Sequence, residues 1–316
     1  MLIAASPEQI KTPTAIALGN FDGIHQGHQV VLQPIINLVQ PLQLPYIHSA
    51  VVSFTPHPRE FFSGGKRQLL TPINEKAEQL SKLGIEQLIL LQFDRALASL
   101  SPQEFVEQII VKQLQAKVIS VGADFRFGKG RKGSGEDLKN IAENFNIEVY
   151  LNSLHQCQDR NRQTVRVSSS LIRQALQNGE ISVANSMLGR PYRLEGTVVT
   201  GQQLGRTIGF PTANLQLPSE KFLPRYGVYA VNALVEGTIV QGVMNVGCRP
   251  TVAGEAPTIE VHLLSWSGDL YGRTLKVDLL EFLRPEQKFD SVEALKQQIA
   301  KDCQAVLNNS QSNMNI

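Results

Sequence analysis

The pattern of apolar residues changes once along this chain, and that change limits the folds it can adopt. From residue 14 to residue 151, apolar runs typical of buried strands alternate with helical patterns. After about residue 190, short strand-like runs bounded by Gly or Pro follow one another without helices between them. The first pattern predicts an α/β domain, a doubly wound parallel sheet with helices on its faces, and the second an antiparallel barrel or sandwich. A chain of 316 residues is long enough for both domains.

The boundaries of these elements can be predicted from the sequence. In the first region, strands are expected at 15–18, 50–54, 88–93 and 118–121, and helices at 73–83 and after the capping sequence at 101–104. In the second region, strands are expected at 194–199, 228–235, 239–246, 258–264 and 275–282, with one helix after 290–293. We place the domain boundary so that residues 1–185 form the first domain and residues 186–316 the second.

Composition excludes several classes of protein. Lys and Arg number 30 and Asp and Glu 28, so a net charge of +2 argues against a nucleic-acid partner. Hydrophobic residues make up 42% of the chain, which excludes disorder throughout. No apolar run reaches the length of a membrane span, no secretion signal is recognised, and three distant cysteines give no metal or disulfide pattern. We therefore expect a cytoplasmic protein without a membrane partner, and a homo-oligomer is left open.

The most informative motif runs from Gly19 to His28, with the sequence GNFDGIHQGH. It lies where a predicted strand ends and a helix of about 29–38 begins, a position where backbone amides collect an anion. Gly27, between His25 and His28, leaves room for a phosphate. Two imidazoles and these amides could stabilise charge at an α-phosphorus during nucleotidyl transfer. The alternative is a structural role for both histidines.

The same motif resembles the signature of the nucleotidyltransferase superfamily. The longer string resembles the FAD synthetase module of the bacterial bifunctional riboflavin kinase/FAD synthetase family. Three further segments carry this resemblance: FTPHP at 54–58, GADFRFG at 122–128 and VSSSLIR at 167–173. The resemblance implies that ATP and FMN are substrates and that FAD and pyrophosphate are products.

The resemblance also implies roles for individual residues in the first domain. His25 and His28 would be catalytic. ATP-binding residues would be Gly19, Asn20, Phe21, Asp22, Gly23, Gly27, Ser169 and Arg173. Flavin-binding residues would be His57, Asp124 and Phe125. Simpler alternatives are a helix-capping role for His57 or Asp124 and a surface ion pair for Arg173, although an arginine also suits the β- and γ-phosphates of ATP.

A second motif, GRTIGFPTANL at 205–215, is rich in turn-forming and polar residues. Thr212 and Asn214 offer oxygen donors two residues apart, which suits Mg²⁺. The motif resembles the Pro-Thr-Ala-Asn element of riboflavin kinase, which implies that Gly205, Gly209 and Pro211 also contact ATP.

The strand predicted at 258–264 places Glu260 and His262 on one face. The family resemblance assigns to Glu260 the general base that accepts the proton of the ribityl hydroxyl. Glu260 is beside a ligand if that face is interior, and a solvent-facing strand residue is the alternative. His262 is expected to be structural. Arg284 and Glu286 lie in a segment that resembles the flavin side of the kinase.

The sequence therefore predicts a bifunctional enzyme. Its C-terminal antiparallel β-barrel would phosphorylate riboflavin to FMN with Mg²⁺ and ATP, and its N-terminal domain would convert FMN to FAD. Two alternatives are an enzyme with only one active domain and a non-catalytic flavin-binding sensor.

Overall fold

A computed structural model of the chain describes residues 1–39, 46–153, 155–158, 164–201, 204–251 and 254–313. Contacts within the chain divide it into two compact units, Met1–Ser169 and Ser170–Ile316. This division falls earlier than the predicted boundary between residues 185 and 186, and that boundary stays a prediction. Within the described part, no helix combines the length and the apolarity needed to cross a membrane.

The first unit is built around a parallel sheet of six strands, in the order β1-β4-β3-β2-β5-β8. Its strands are β1 (Leu2–Ala4), β2 (Thr14–Leu18), β3 (His48–Thr55), β4 (Gln87–Gln92), β5 (Ala116–Gly122) and β8 (Glu148–Asn152). Two small hairpins pair β6 (Arg126–Phe127) with β7 (Gly133–Ser134) and β9 (Gln156–Gln158) with β10 (Thr164–Arg166). The predicted parallel sheet is confirmed.

Helices cover both faces of this sheet. They are α1 (Gln26–Val39), α2 (Pro58–Ser63), α3 (Ile73–Lys82), α4 (Arg95–Ser99), α5 (Pro102–Phe105) and α6 (Gly135–Glu143), with short 3-10 turns at Pro7–Gln9 and Lys129–Arg131. After α5 the chain continues as a π-helix over Val106–Gln113, which the apolar period did not predict. Ala15 and Ala17 of β2 pack in one core cluster and Ile16 and Leu18 in another, because successive side chains point to opposite faces.

The second unit contains all of α7 (Ser169–Asn178) except its first residue, followed by α8 (Ile181–Leu188) and a closed antiparallel barrel. The barrel strands are β11 (Tyr192–Val199), β12 (Ala213–Gln216), β13 (Gly227–Val235), β14 (Thr238–Thr251), β15 (Gly254–Leu263) and β16 (Thr274–Arg284). A short α9 (Leu204–Thr207) precedes β12, and α10 (Val292–Asn313) follows β16. The predicted barrel and terminal helix are confirmed. β12 is an additional strand, in a segment whose sequence is rich in turn-forming residues.

Candidate functional site

The Gly19–His28 segment connects the carboxyl end of β2 to α1. β3 lies on one side of β2 and β5 on the other, so the chain leaves β2 at the point where the strand order reverses. Ligands bind at this switch point in open parallel sheets. Phe21 and Ile24 are buried and have φ angles of 47° and 43°. Non-glycine residues adopt such angles only where the surrounding structure stabilises them.

The two histidine rings of this segment are stacked, with centroids 3.6 Å apart and planes 15° from parallel. The backbone N–H of His28 donates to the carbonyl of His25 at 2.7 Å and contacts its Nδ1 at 3.3 Å. Because Nδ1 accepts, a neutral His25 carries its proton on Nε2, where it can be donated to a ligand oxygen. A Cβ at Gly27 would lie 3.3 Å from the His25 ring, so a side chain there would crowd the histidine.

Side chains from distant parts of the sequence stabilise this loop. Thr71 accepts from the Gly23 N–H through Oγ1 at 2.9 Å and donates its own N–H to Asp22 Oδ1 at 3.2 Å. Ser169 Oγ donates to the Asp22 carbonyl at 2.8 Å. Lys76 Nζ donates to the Asn20 carbonyl at 2.7 Å. The structure therefore brings the predicted ATP residues of the loop and Ser169 together, and it adds Thr71 and Lys76, which the sequence did not indicate.

Arg173 was predicted to bind the ATP phosphates and lies on α7, which belongs almost entirely to the second unit. There its guanidinium carbon is 5.6 Å from the centre of the Phe222 ring. Its role at ATP stays a prediction.

His57 combines a capping role with a contact to an arginine. Its Nδ1 accepts from the Arg59 N–H at 3.0 Å, which makes it the N-cap of α2, and its Nε2 lies 3.0 Å from Arg67 Nη1. Burial, and after it the nearby Arg67 charge, lower the pKa of His57 from 6.5 to about 4. The ring is therefore neutral at pH 7.

Four phenylalanine rings form a cluster beside His57, at the carboxyl ends of β3 and β4. This aromatic patch consists of Phe54, Phe61, Phe62 and Phe93, whose neighbouring rings meet edge to face at 5.2–5.9 Å. Phe62 is 73% exposed. Exposed aromatic rings at a ligand-binding edge can stack on a planar ligand. The patch was not predicted, although the consecutive pair at 61–62 directly after the His57 motif was a usable signal.

Asp124 and Phe125 follow the carboxyl end of β5. Asp124 forms an ion pair with Arg166, and both side chains are about half exposed. Phe125 stacks on Phe127, with ring centroids 5.7 Å apart and planes 16° from parallel. Both predicted flavin residues therefore lie at the same edge of the sheet as the histidine loop.

In the barrel, Asn214 of β12 and Glu260 of β15 are direct partners on neighbouring strands, and Glu260 also lies opposite Asn245 of β14. Ile259 and Val261 are buried and fill the barrel interior, so the half-buried Glu260 is on the outer face. The sequence left the face of Glu260 open, and its role as the general base stays a prediction. His262 shares the face and its Nδ1 lies 2.8 Å from the Pro211 carbonyl, which fits the structural role expected for it.

The turn before β12 is tightly folded around Gly205. The Phe210 N–H donates to the Gly205 carbonyl at 2.8 Å, and a Cβ at Gly205 would collide with the Phe210 carbonyl and lie 3.3 Å from Thr212 Oγ1. Gly209 has a φ of 92°, which favours glycine. Pro211 and Thr212 line a cavity of about 580 Å³ together with Arg206, Trp266 and Tyr271. This cavity is large enough for part of a nucleotide.

Arg284 and Glu286 lie at the end of β16 and just beyond it. Arg284 donates to both carboxylate oxygens of Asp302 on α10 at 2.8–3.1 Å, and this pair is largely buried. The Glu286 carboxylate lies against Gly247, so a side chain at Gly247 would displace it. Their flavin contacts stay predictions, and Arg284 has a clear structural contact of its own.

Two protein-family models match separate parts of this chain. The sequence model of the FAD synthetase family matches residues 7–171, and that of the riboflavin kinase family matches residues 188–309. The bifunctional riboflavin kinase/FMN adenylyltransferase of Escherichia coli K12 is 41% identical over 289 residues, which cover 91% of this chain and 90% of that protein. This chain belongs to the bifunctional riboflavin kinase/FMN adenylyltransferase family.

Another relative and a solved structure are also similar to this chain. The Bacillus subtilis protein of the same name is 37% identical over 305 residues, covering 95% of this chain and 93% of that protein. A crystal structure from Streptococcus pneumoniae described as a macrolide-efflux protein has a TM-score of 0.84 and 33% identity, covering 97% of this chain and 98% of that one. Neither of the two family models that match this chain describes an efflux protein.

The oxygen donors of the barrel can be compared with what Mg²⁺ needs. Among the described residues, no group of three or more His, Cys, Asp or Glu side chains could hold a metal ion. The barrel instead offers the hydroxyl of Thr212 and the amide of Asn214 beside Glu260. Mg²⁺ is often bound by one or two protein groups together with waters and substrate phosphates. These residues therefore fit Mg²⁺ that arrives with ATP.

Proposed function

We propose that this chain makes FAD from riboflavin in two ATP-dependent steps, with residues 186–316 acting as riboflavin kinase and residues 1–185 as FMN adenylyltransferase. One observation carries the proposal. One chain of this family carries two separate groups of residues, the stacked histidines after β2 and the Asn214–Glu260 pair on the barrel. Each group has the side chains that one of the two reactions requires.

In adenylyl transfer, an FMN phosphate oxygen attacks the α-phosphorus of ATP, and the bond from that phosphorus to the bridging oxygen of pyrophosphate breaks. Negative charge on the α-phosphate oxygens increases in the transition state. His25 donates from Nε2 and His28 lies directly beside it, so both can stabilise this charge together with the amides at the start of α1. Arg173 would stabilise the pyrophosphate leaving group.

The flavin of FMN would lie against the aromatic patch. The exposed Phe62 ring offers a face or an edge to the isoalloxazine, and the neutral His57 ring borders the same edge of the sheet. Asp124 and Phe125 would contact the flavin from the end of β5. Arg67, beside His57, adds a positive charge that suits the FMN phosphate.

In the kinase reaction, Glu260 accepts the proton of the ribityl 5′-hydroxyl as the hydroxyl oxygen attacks the γ-phosphorus of ATP. The bond from that phosphorus to the bridging oxygen breaks, and ADP leaves. Thr212 and Asn214 would hold Mg²⁺ with the ATP phosphates, and the metal supplies charge neutralisation when bound. Gly205, Gly209 and Pro211 shape the turn beside the nucleotide cavity. Arg284 and Glu286 would contact riboflavin. We also propose a cytoplasmic location and small molecules, not nucleic acid, as ligands.

The test is to incubate the purified chain with riboflavin, ATP and Mg²⁺ and to follow flavins by chromatography. We expect FMN to appear first and FAD second, and we expect neither product when the metal is chelated. FMN without FAD would mean that only the kinase domain is active. The absence of both products would favour the flavin-binding sensor.

A further inference from the structure

A buried lysine lies beneath the histidine loop. Lys76 is on α3 and is only 6% exposed, although lysine is rarely buried. Its Nζ donates to the Asn20 carbonyl at 2.7 Å. Burial lowers the pKa of Lys76 to about 8; the negative charge of Asp22 opposes this shift and the positive charge of Arg67 adds to it. Burying this ammonium therefore lowers the stability of the folded protein. A destabilising buried charge of this kind indicates a functional role.

The atom that Lys76 contacts has a particular place in the loop. The Asn20 carbonyl belongs to the peptide group that precedes Phe21, the first residue with a positive φ. Fixing this carbonyl fixes the peptide plane from which the φ of Phe21 is measured. Ser53 Oγ donates to the same oxygen, but at 3.4 Å its hydrogen bond is long. The charged amine of Lys76 is therefore the stronger donor at this position.

We propose that Lys76 is a positioning residue for FMN adenylylation: its ammonium orients the Asn20 carbonyl so that the loop presents His25 and His28 to the α-phosphate. The proposal rests on the adenylyltransferase function proposed above. Lys76 acts through the loop and not by contact with substrate. Its charge matters because a neutral donor would make a weaker hydrogen bond to the carbonyl.

The proposal predicts that replacing Lys76 lowers activity without lowering stability. Lys76→Met fills the same space with an apolar side chain and removes a desolvated charge. At pH 7 we expect Lys76→Met to unfold at the same temperature as the natural protein or above it. We expect its kcat for FAD formation from FMN to fall about 10- to 100-fold, because a small displacement of catalytic groups is enough for such a loss. A merely structural lysine would instead lower the unfolding temperature.

Controls come from the same helix and the same chain. Lys82 is an exposed lysine of α3, paired with Glu78 at 2.8 Å, and Lys82→Met should leave both reactions unchanged. FMN formation from riboflavin, measured on every variant, reports whether the protein is intact. If the natural protein makes no FAD, the proposed function fails; if it does and Lys76→Met makes FAD at the same rate, the positioning role is wrong.

The pH profile gives a second test that does not depend on the methionine variant folding. Asp22 and Arg67 are the charged groups that act on Lys76. In the natural protein, the rate of FAD formation should fall as pH rises above about 8, because the ammonium loses its proton. Lys76→Arg keeps its charge and should retain activity with this decline removed. An unchanged decline in Lys76→Arg would overturn the proposal.

Discussion

In the first unit, His25 and His28 follow a loop whose shape depends on side chains far away in the sequence, whereas in the second unit Asn214 and Glu260 are placed by the register of neighbouring strands. A strand ladder places side chains through backbone hydrogen bonds, which tolerate many side-chain changes. A loop with positive φ angles at non-glycine residues needs specific contacts. Substitutions outside the motif should therefore damage adenylylation more readily than phosphorylation.

The largest effect is expected at the barrel. Glu260→Gln keeps the size of the side chain but removes the proton acceptor, so riboflavin phosphorylation should fall about 100- to 10,000-fold. FAD formation from added FMN should be unchanged. Each reaction is measured separately by chromatography, with Glu281→Gln as the control, since Glu281 lies on β16, which does not pair with the β15 strand of Glu260. A variant that loses both reactions while remaining folded would contradict the assignment of separate sites.

The corresponding change in the first unit is His28→Ala. Removing one group that stabilises transition-state charge should lower FAD formation about 100- to 1,000-fold and spare FMN formation. His155→Ala is a suitable control. His155 contacts Gln26 of α1, the helix that carries His28, at 3.1 Å, but it does not belong to the stacked pair. Equal losses in the two variants would mean that the stacking of His25 and His28 has no special role.

A substitution outside either motif tests the comparison most directly. Thr71→Val keeps the shape of the side chain but leaves the buried Gly23 N–H without the Thr71 hydroxyl, at a cost of about 1–3 kcal/mol. FAD formation should fall about tenfold while FMN formation is unchanged. Thr71→Ser restores the hydroxyl and should restore the rate. If Thr71→Ser does not restore the rate of FAD formation, the loop does not depend on its hydrogen bond to the Thr71 hydroxyl.

The fold and the motifs could be predicted because their signals are local in the sequence. Alternation of strands and helices indicated the parallel sheet, and the histidine motif is contiguous. β12 was missed because its Ala213–Gln216 segment begins inside a turn-like motif. The face of Glu260 was left open because alternation alone cannot say which side is the interior. Thr71 and Lys76 were missed because their partners lie about fifty residues away, and only tertiary contacts bring them together.

The smallest expected effect concerns the protonation of His57. Burial and then Arg67 lower its pKa from 6.5 to about 4, so the folded protein binds fewer protons here than the unfolded chain between these values. The contribution of His57 to the free energy of unfolding should therefore decrease as pH falls from 6.5 to 4.

Arg67→Met removes the second largest of the causes that lower the His57 pKa, so this pKa should rise but stay below 6.5 because burial remains. NMR titration of the imidazole signals, assigned with His57→Gln, measures this change. Arg95→Met is the control, since Arg95 is exposed and is not among the charges acting on His57. If Arg67→Met leaves the titration of His57 unchanged, Arg67 does not control the ring, and burial is the main cause that keeps it neutral. The flavin edge of the first unit would then depend on local packing, as the barrel site does, and the contrast between the two sites would be confined to the histidine loop.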